Sequence, residues 1–283
     1  TLTANLAALH TLFGATDRAE TWLRETLTTA PLHLRHPYEA FAESIRGDLA
    51  INRGLWQEAV THFDRASEKY HALKMRREAF HARLAAVDAL IEQNKIAEAE
   101  QRLGDLPEVA SLGISELDLE RDWLNARLAL AREPADLETA GLLCNSIGRY
   151  LAIVEQPERK MDFHIIMGKL RLLEGKSGAA RSEMEAAAGL IHRLTLQVPE
   201  EFRDDYLGTA RRKRILQQIE TMQHEPKEES PMPTPPIDPK RLGRLLEINR
   251  RLNLERDIPK LLEAILDTAI ELAAARRGFL ILF

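Results

Sequence analysis

Gly175-Lys176-Ser177 is the tripeptide that closes a phosphate-binding loop, so phosphate chemistry is the first possibility this chain raises. Such a loop needs a second glycine five residues before Gly175 and a buried strand leading into it, so that backbone amides can wrap the anion. Leu170 stands at that position, and "MDFHIIMGKLRLLE" (161–174) reads as a helix rather than a strand. Gly175 is therefore expected to close a helix. His33 and His36 in "HLRH" form the one close histidine pair, with no cysteine or third ligand beside them, so no metal site is expected. The single cysteine, Cys144, is expected to be an inert buried thiol. "RRKR" (211–214) lies beside the acidic "EEFRDD" (201–205 with its preceding Glu200) in a chain of net charge −5, and a solvated helix face is the expectation there. No catalytic residue, cofactor, or direct nucleic-acid or membrane binding is expected of this chain.

The elements that carry these residues look ordinary and globular. The chain is 45% hydrophobic and 29% charged, has no apolar run near 18 residues, and cannot form a disulfide within itself. A cytoplasmic protein is expected. "TLTANLAALHTLFGATDRAE" has neither the basic start nor the apolar core of a signal peptide, and Thr1 is expected to be an internal start within something longer.

The chain repeats itself. Stepping back from Ala180, alanine recurs at Ala140, Ala99, Ala59 and Ala19, with spacings of 40, 41, 40 and 40. Five residues before each stands a turn position: Gly14, Gly54, Asn94, Ala135 and Gly175. Glycine and asparagine best tolerate the left-handed conformation that ends a helix. Four residues after each alanine comes Leu23, Phe63, Leu103, Cys144 or Met184, and seven after it Thr26, Ala66, Leu106, Ile147 or Ala187. The 0, 4, 7 spacing is one helix face. Seven residues before the turn, Ala7, Gly47, Val87 and Gly168 mark a small-residue position on the preceding helix. Each unit is thus helix, tight turn, helix, and only a stack of such units can bury the apolar stripes.

"GDLAINRGLWQEAVTHFDRA" (47–66) resembles the tetratricopeptide repeat through Gly47, Gly54, Trp56, Ala59, Phe63 and Ala66, and the fifth unit matches through Gly168, Gly175, Ala180 and Ala187. The other three units are recognisable mainly by register, and the period of about 40 exceeds the family's ~34 residues. A HEAT-like array has a period in the right range but does not account for the Gly-Trp-Ala-Phe-Ala pattern. The expectation is an all-α solenoid of about five units over residues 1–192, with a capping helix over 193–223.

"HEPKEESPMPTPPIDP" (224–239) has six prolines in sixteen residues and reads as a spacer. Beyond it, Leu245, Ile248 and Leu252 form a short seam on a helix at 240–258. That seam suits pairing of two subunits, or equally packing on its own domain. Residues 259–283 read as a second helix, with Leu261, Leu262, Ile265, Leu266, Ala269 and Ile270 on its stripe, and then a buried strand from Phe279 to Phe283. This stretch resembles the opening of a GAF domain, most closely those of bacterial regulators that activate the sigma-54 form of RNA polymerase. The resemblance implies an α/β domain beginning at 259. It also implies an AAA+ ATPase and a DNA-binding domain further on, with a Ser/Thr kinase domain upstream in some relatives.

In a tetratricopeptide array the first helices of successive units line a concave groove. By register these positions are Phe41, Ser44, Asp48, Ile51 and Asn52, then His81, Leu84, Asp88, Ile91 and Glu92. Asp122, Asn125 and Arg132 follow, then Ile165, Lys169 and Leu172. The repeats that grip chaperone C-termini use lysine and asparagine here; Ser44 and Asp48 disfavour that use. A mixed apolar and acidic groove suits an amphipathic or basic peptide, or another part of the same protein. The expected function is protein interaction and signal sensing within a multidomain bacterial regulator. A stand-alone scaffold, or a regulatory arm of a Ser/Thr or histidine kinase, is the alternative.

Overall fold

A computed structural model describes residues 2–106 and 115–224. The chain divides into two compact parts, Thr1–Glu225 and Pro226–Phe283, and all described residues belong to the first. The rest of the expected linker (225–239), the helix carrying Leu245, Ile248 and Leu252, and the expected GAF opening with its strand lie outside the described residues.

Among the described residues the fold is all-α, with no strand. Helices pair in sequence: α1 (Leu2–Leu12) with α2 (Thr16–Thr29), α3 (Arg35–Arg53) with α4 (Trp56–Ala72), and α5 (Arg76–Glu92) with α6 (Ile96–Gly104). α7 (Ser115–Ala131) pairs with α8 (Leu137–Ile153), and α9 (Pro157–Leu173) with α10 (Ser177–Gln197). None of these helices is long and apolar enough to cross a membrane.

One turn is used again and again. Gly14, Gly54 and Gly175 adopt φ 76°, and Asn94 adopts φ 61°. In each, the following N–H reaches back five residues to a carbonyl, as Leu55 N–H does to the Ala50 oxygen (2.8 Å) and Lys176 N–H to the Arg171 oxygen (2.8 Å). This is the Schellman closure, which satisfies carbonyls a helix end would otherwise leave unpaired. At Gly175 it consumes the acceptors of α9 and forms no phosphate nest. Lys74, between α4 and α5, makes the same turn at φ 60°.

The repeat pattern maps onto the hairpin cores. Ala19, Ala59, Ala99, Ala140 and Ala180 are all 0% exposed, which lets the paired helices approach closely. The residue four further on packs against the small position of the preceding helix. A Cβ on Gly47 would lie 2.5 Å from the Phe63 ring, and one on Gly168 would lie 2.8 Å from Met184 Cε. Ala7 with Leu23, and Val87 with Leu103, share a cluster in the same way.

The fourth hairpin departs from this. Three residues separate α5 from α6 and α9 from α10, but five (132–136) separate α7 from α8. Ala135 takes no left-handed turn; instead Asp136 caps α8, its side chain accepting from Thr139 N–H at 3.0 Å. Counting back from Ala135 therefore sets α7 two residues out of register. The small position is Ala126, 0% exposed and clustered with Cys144.

The single capping helix expected over 193–223 is two helices. α10 continues to Gln197, a 3-10 turn spans Glu200–Phe202, and α11 (Arg203–Gly208) and α12 (Ala210–His224) follow. Thr209 is extended (φ −62°, ψ 143°), which breaks the helix between them. α12 does cover the last hairpin: Ile215 and Ile219 are buried with Met184, Leu190, Ile191 and Leu194 of α10. The same segment also returns to the first hairpin. Phe202 stacks on Phe13 (5.3 Å), meets His10 edge-on (5.1 Å) and lies under the Arg18 guanidinium (4.6 Å).

Candidate functional site

The first helices place a regular set of side chains on one face, each position recurring once per hairpin. With α7 in its corrected register, the position six residues before the turn reads Asp48, Asp88, Arg127 and Lys169, acidic in the second and third hairpins and basic in the fourth and fifth. The position three before it reads Ile51, Ile91, Leu130 and Leu172. Ile91, Trp123, Leu130, Ile165 and Leu172 line an open cleft of about 640 Å³, together with Glu92, Arg127, Asp162 and Lys169. The remaining wall is α12, through Arg211, Arg214, Ile215, Gln217, Gln218 and Thr221.

Several residues expected in the groove do other work. Leu84 is 3% exposed and belongs to the core between α4, α5 and α7. Phe41 packs against the first hairpin's cluster, and Ser44 hydrogen-bonds Tyr70. Asn52 donates to the Thr11 carbonyl at 2.8 Å, tying the first two hairpins together. His81 is exposed and lies 3.7 Å from Glu120, which also holds Arg159 at 2.7 Å. Ile51 and Asp48 do not line the cleft; Ile51 packs on the core of the second and third hairpins.

Asp122, Asn125 and Arg132 are the corrections that follow from the longer turn. None lines the cleft; Trp123, Arg127 and Leu130 stand there instead. Arg132 pairs with Glu100 at 2.6 Å and Asp136 at 3.4 Å, beside the turn itself. Pro134 inside the turn was the available sign that this hairpin could not keep the common three-residue closure.

The electrostatic centre is Arg127. Its guanidinium is bracketed by Asp88 and by Glu92 (2.6 Å) on the neighbouring α5. From the other side Arg211 reaches Asp88 at 3.5 Å, and Arg214 hydrogen-bonds Glu92 while lying 5.4 Å from the Trp56 ring centroid. Two carboxylates one helical turn apart thus hold two arginines of α12, also nearly one turn apart, and Arg127 besides. Burial, then Arg211 and Arg214, push the Arg127 pKa down to about 9, so it stays protonated at neutral pH. Lys169 is pushed down by burial and by Arg127. Asp48 is exposed and lies outside the cleft, yet the protein around its carboxyl costs it solvation and pushes it up to about 7.

"RRKR" is therefore not simply a solvated face. Arg211 and Arg214 bind the groove, and Arg212 stacks 3.5 Å over Tyr206 and approaches Glu158 at 3.5 Å; Lys213 faces solvent. Elsewhere, His36 lies at the start of α3, 3.4 Å from Glu39, and His33 in the 3-10 turn before it. Among the described residues no three His, Cys, Asp or Glu side chains converge on a point that could hold a metal. Cys144 is 1% exposed, and burial pushes its thiol up to about 11, which leaves it protonated and unreactive at neutral pH. The arrangement is suited to recognising a charged amphipathic helix.

Compared with known proteins, the chain matches no family model and shows no significant similarity to a curated protein or a solved structure.

Proposed function

We propose that residues 1–224 are the protein-interaction and signal-sensing segment of a multidomain bacterial regulator, of the sort that activates sigma-54 RNA polymerase. Two things support the reading. Its interaction half rests on the groove: a tetratricopeptide-like stack that presents an acid-to-base gradient of Asp88, Arg127 and Lys169 along an apolar cleft, and that already binds a helix there. Its regulatory half rests on the GAF-like sequence of residues 240–283. Binding surfaces on helical solenoids follow from the curvature of the stack, which lines up equivalent side chains of successive hairpins.

The test is deletion of residues 1–224 from the native gene, with transcripts mapped by sequencing. Altered initiation at sigma-54-type promoters is the expected result; an unchanged transcript profile sinks the regulatory reading. A stand-alone adaptor remains the second reading, favoured by the observation that α12 closes the groove from within. Its output would be a stable complex rather than a transcript.

A further inference from the structure

α12 occupies the groove without filling it. Its first turn is well matched, with Arg211 and Arg214 on Asp88 and Glu92. Further along, the helix turns Gln217, Gln218 and Thr221 toward a cleft of about 640 Å³ whose opposite wall includes Trp123, Ile165 and Leu172. Polar side chains facing an apolar wall across a gap forfeit both burial and dispersion contact. Of the α12 side chains described, only Ile215 and Ile219 are buried. Lys169 lines the same cleft and makes no ion pair among the described residues. A helix that kept the two cations and put larger apolar groups in the cleft would bind this surface better than α12 does.

We propose that the groove is the docking site for a basic amphipathic helix of a partner protein, carrying two cations about one turn apart followed by an apolar stripe, and that α12 is the resident competitor such a helix displaces. The inference rests on reading the array as an interaction segment, but not on the transcriptional output. While α12 is docked, the partner sees only the fraction of molecules whose groove is open, and its apparent affinity falls by that fraction. Weakening the α12 contacts therefore strengthens partner binding, the reverse of what loss of a structural element would do.

The experiment uses the full 283-residue chain and a fluorescein-labelled peptide of residues 209–224, followed by fluorescence anisotropy. The Arg211→Glu/Arg214→Glu chain is expected to bind this probe about tenfold more tightly than wild type, because its own α12 is now repelled by Asp88 and Glu92. A probe carrying the same two reversals is expected to bind neither chain. In the second arm, a probe with Gln217→Leu and Gln218→Leu is expected to bind the wild-type chain more tightly than the native probe, which requires no variant protein to fold. Equal affinity of the two chains for the native probe, no binding to either, or no gain from the leucine probe overturns the proposal. None of these outcomes alters the transcript measurement, so the two readings fail separately.

Discussion

A methyl group on Gly47 would stand 2.5 Å from Cε1 of Phe63, a ring only 2% exposed and unable to retreat into solvent. Gly47→Ala is therefore expected to cost about 1–3 kcal/mol through overpacking, read by urea denaturation. Adding Phe63→Leu should return most of that loss, because the first hairpin already joins an alanine, Ala7, to a leucine, Leu23, at the same two positions. If the double variant is no more stable than Gly47→Ala alone, size matching between the two helices is not what selects the glycine. Asp48 gives a second prediction at this scale. A carboxyl whose pKa is raised from 3.8 to about 7 on folding costs no stability below the lower value, costs progressively more as pH rises between the two, and costs a constant amount above the upper one. Asp48→Asn should raise Tm over wild type at pH 8 and by clearly less at pH 5; an equal effect at both would remove burial of charge as the cause. Among such details, the identity of the small and large partners was legible in the 40-residue pattern, since helix-face spacing depends only on chain geometry.

The recurring turn makes opposite demands on different residues. Lys74 holds φ 60°, a conformation that costs a residue with a Cβ roughly 1–2 kcal/mol. Lys74→Gly should therefore stabilise the protein by about 0.5–1 kcal/mol, after the extra chain entropy of glycine is deducted. Gly54→Ala should do the reverse, both through φ 76° and because the new Cβ would lie 3.2 Å from that of Ala210. Chemical denaturation of the two variants checks the pair, and shifts of the same sign would contradict the shared-turn account. The turn residues of four hairpins could be read from sequence because glycine and asparagine announce the left-handed region. The fourth hairpin could not be read in the same way. Its closure runs through Pro134 and the Asp136 cap, and its length is set by how α7 and α8 meet rather than by one turn residue. That two-residue difference is why Asn125 and Arg132 were expected where Trp123 and Leu130 stand, and why Asp122 was expected where Glu120 stands, outside the cleft.

Residues 198–224 join the ends of the helical array. Phe202, 6% exposed, is wedged among His10, Phe13 and Arg18, while Ile215 and Ile219 pack on α10 and Arg214 pairs with Glu92. In an open solenoid each hairpin touches only its neighbours, and an end hairpin frays first. Phe202→Ala is thus expected to cost about 3–5 kcal/mol and to speed amide exchange in α1 and α2 ahead of α5 and α7. Uniform acceleration, or none in α1 and α2, would show that the first hairpin holds by itself. The sequence alone determined the paired helices of the array, four of its five hairpin turns and the buried faces beside them, because each follows from periodicity and backbone preference within some forty residues. Only the tertiary structure decided that α12 lies in the groove and that Phe202 reaches the first hairpin. Those contacts join residues over a hundred positions apart, such as Arg214 and Glu92, and depend on the curvature summed over five hairpins, which no local pattern records.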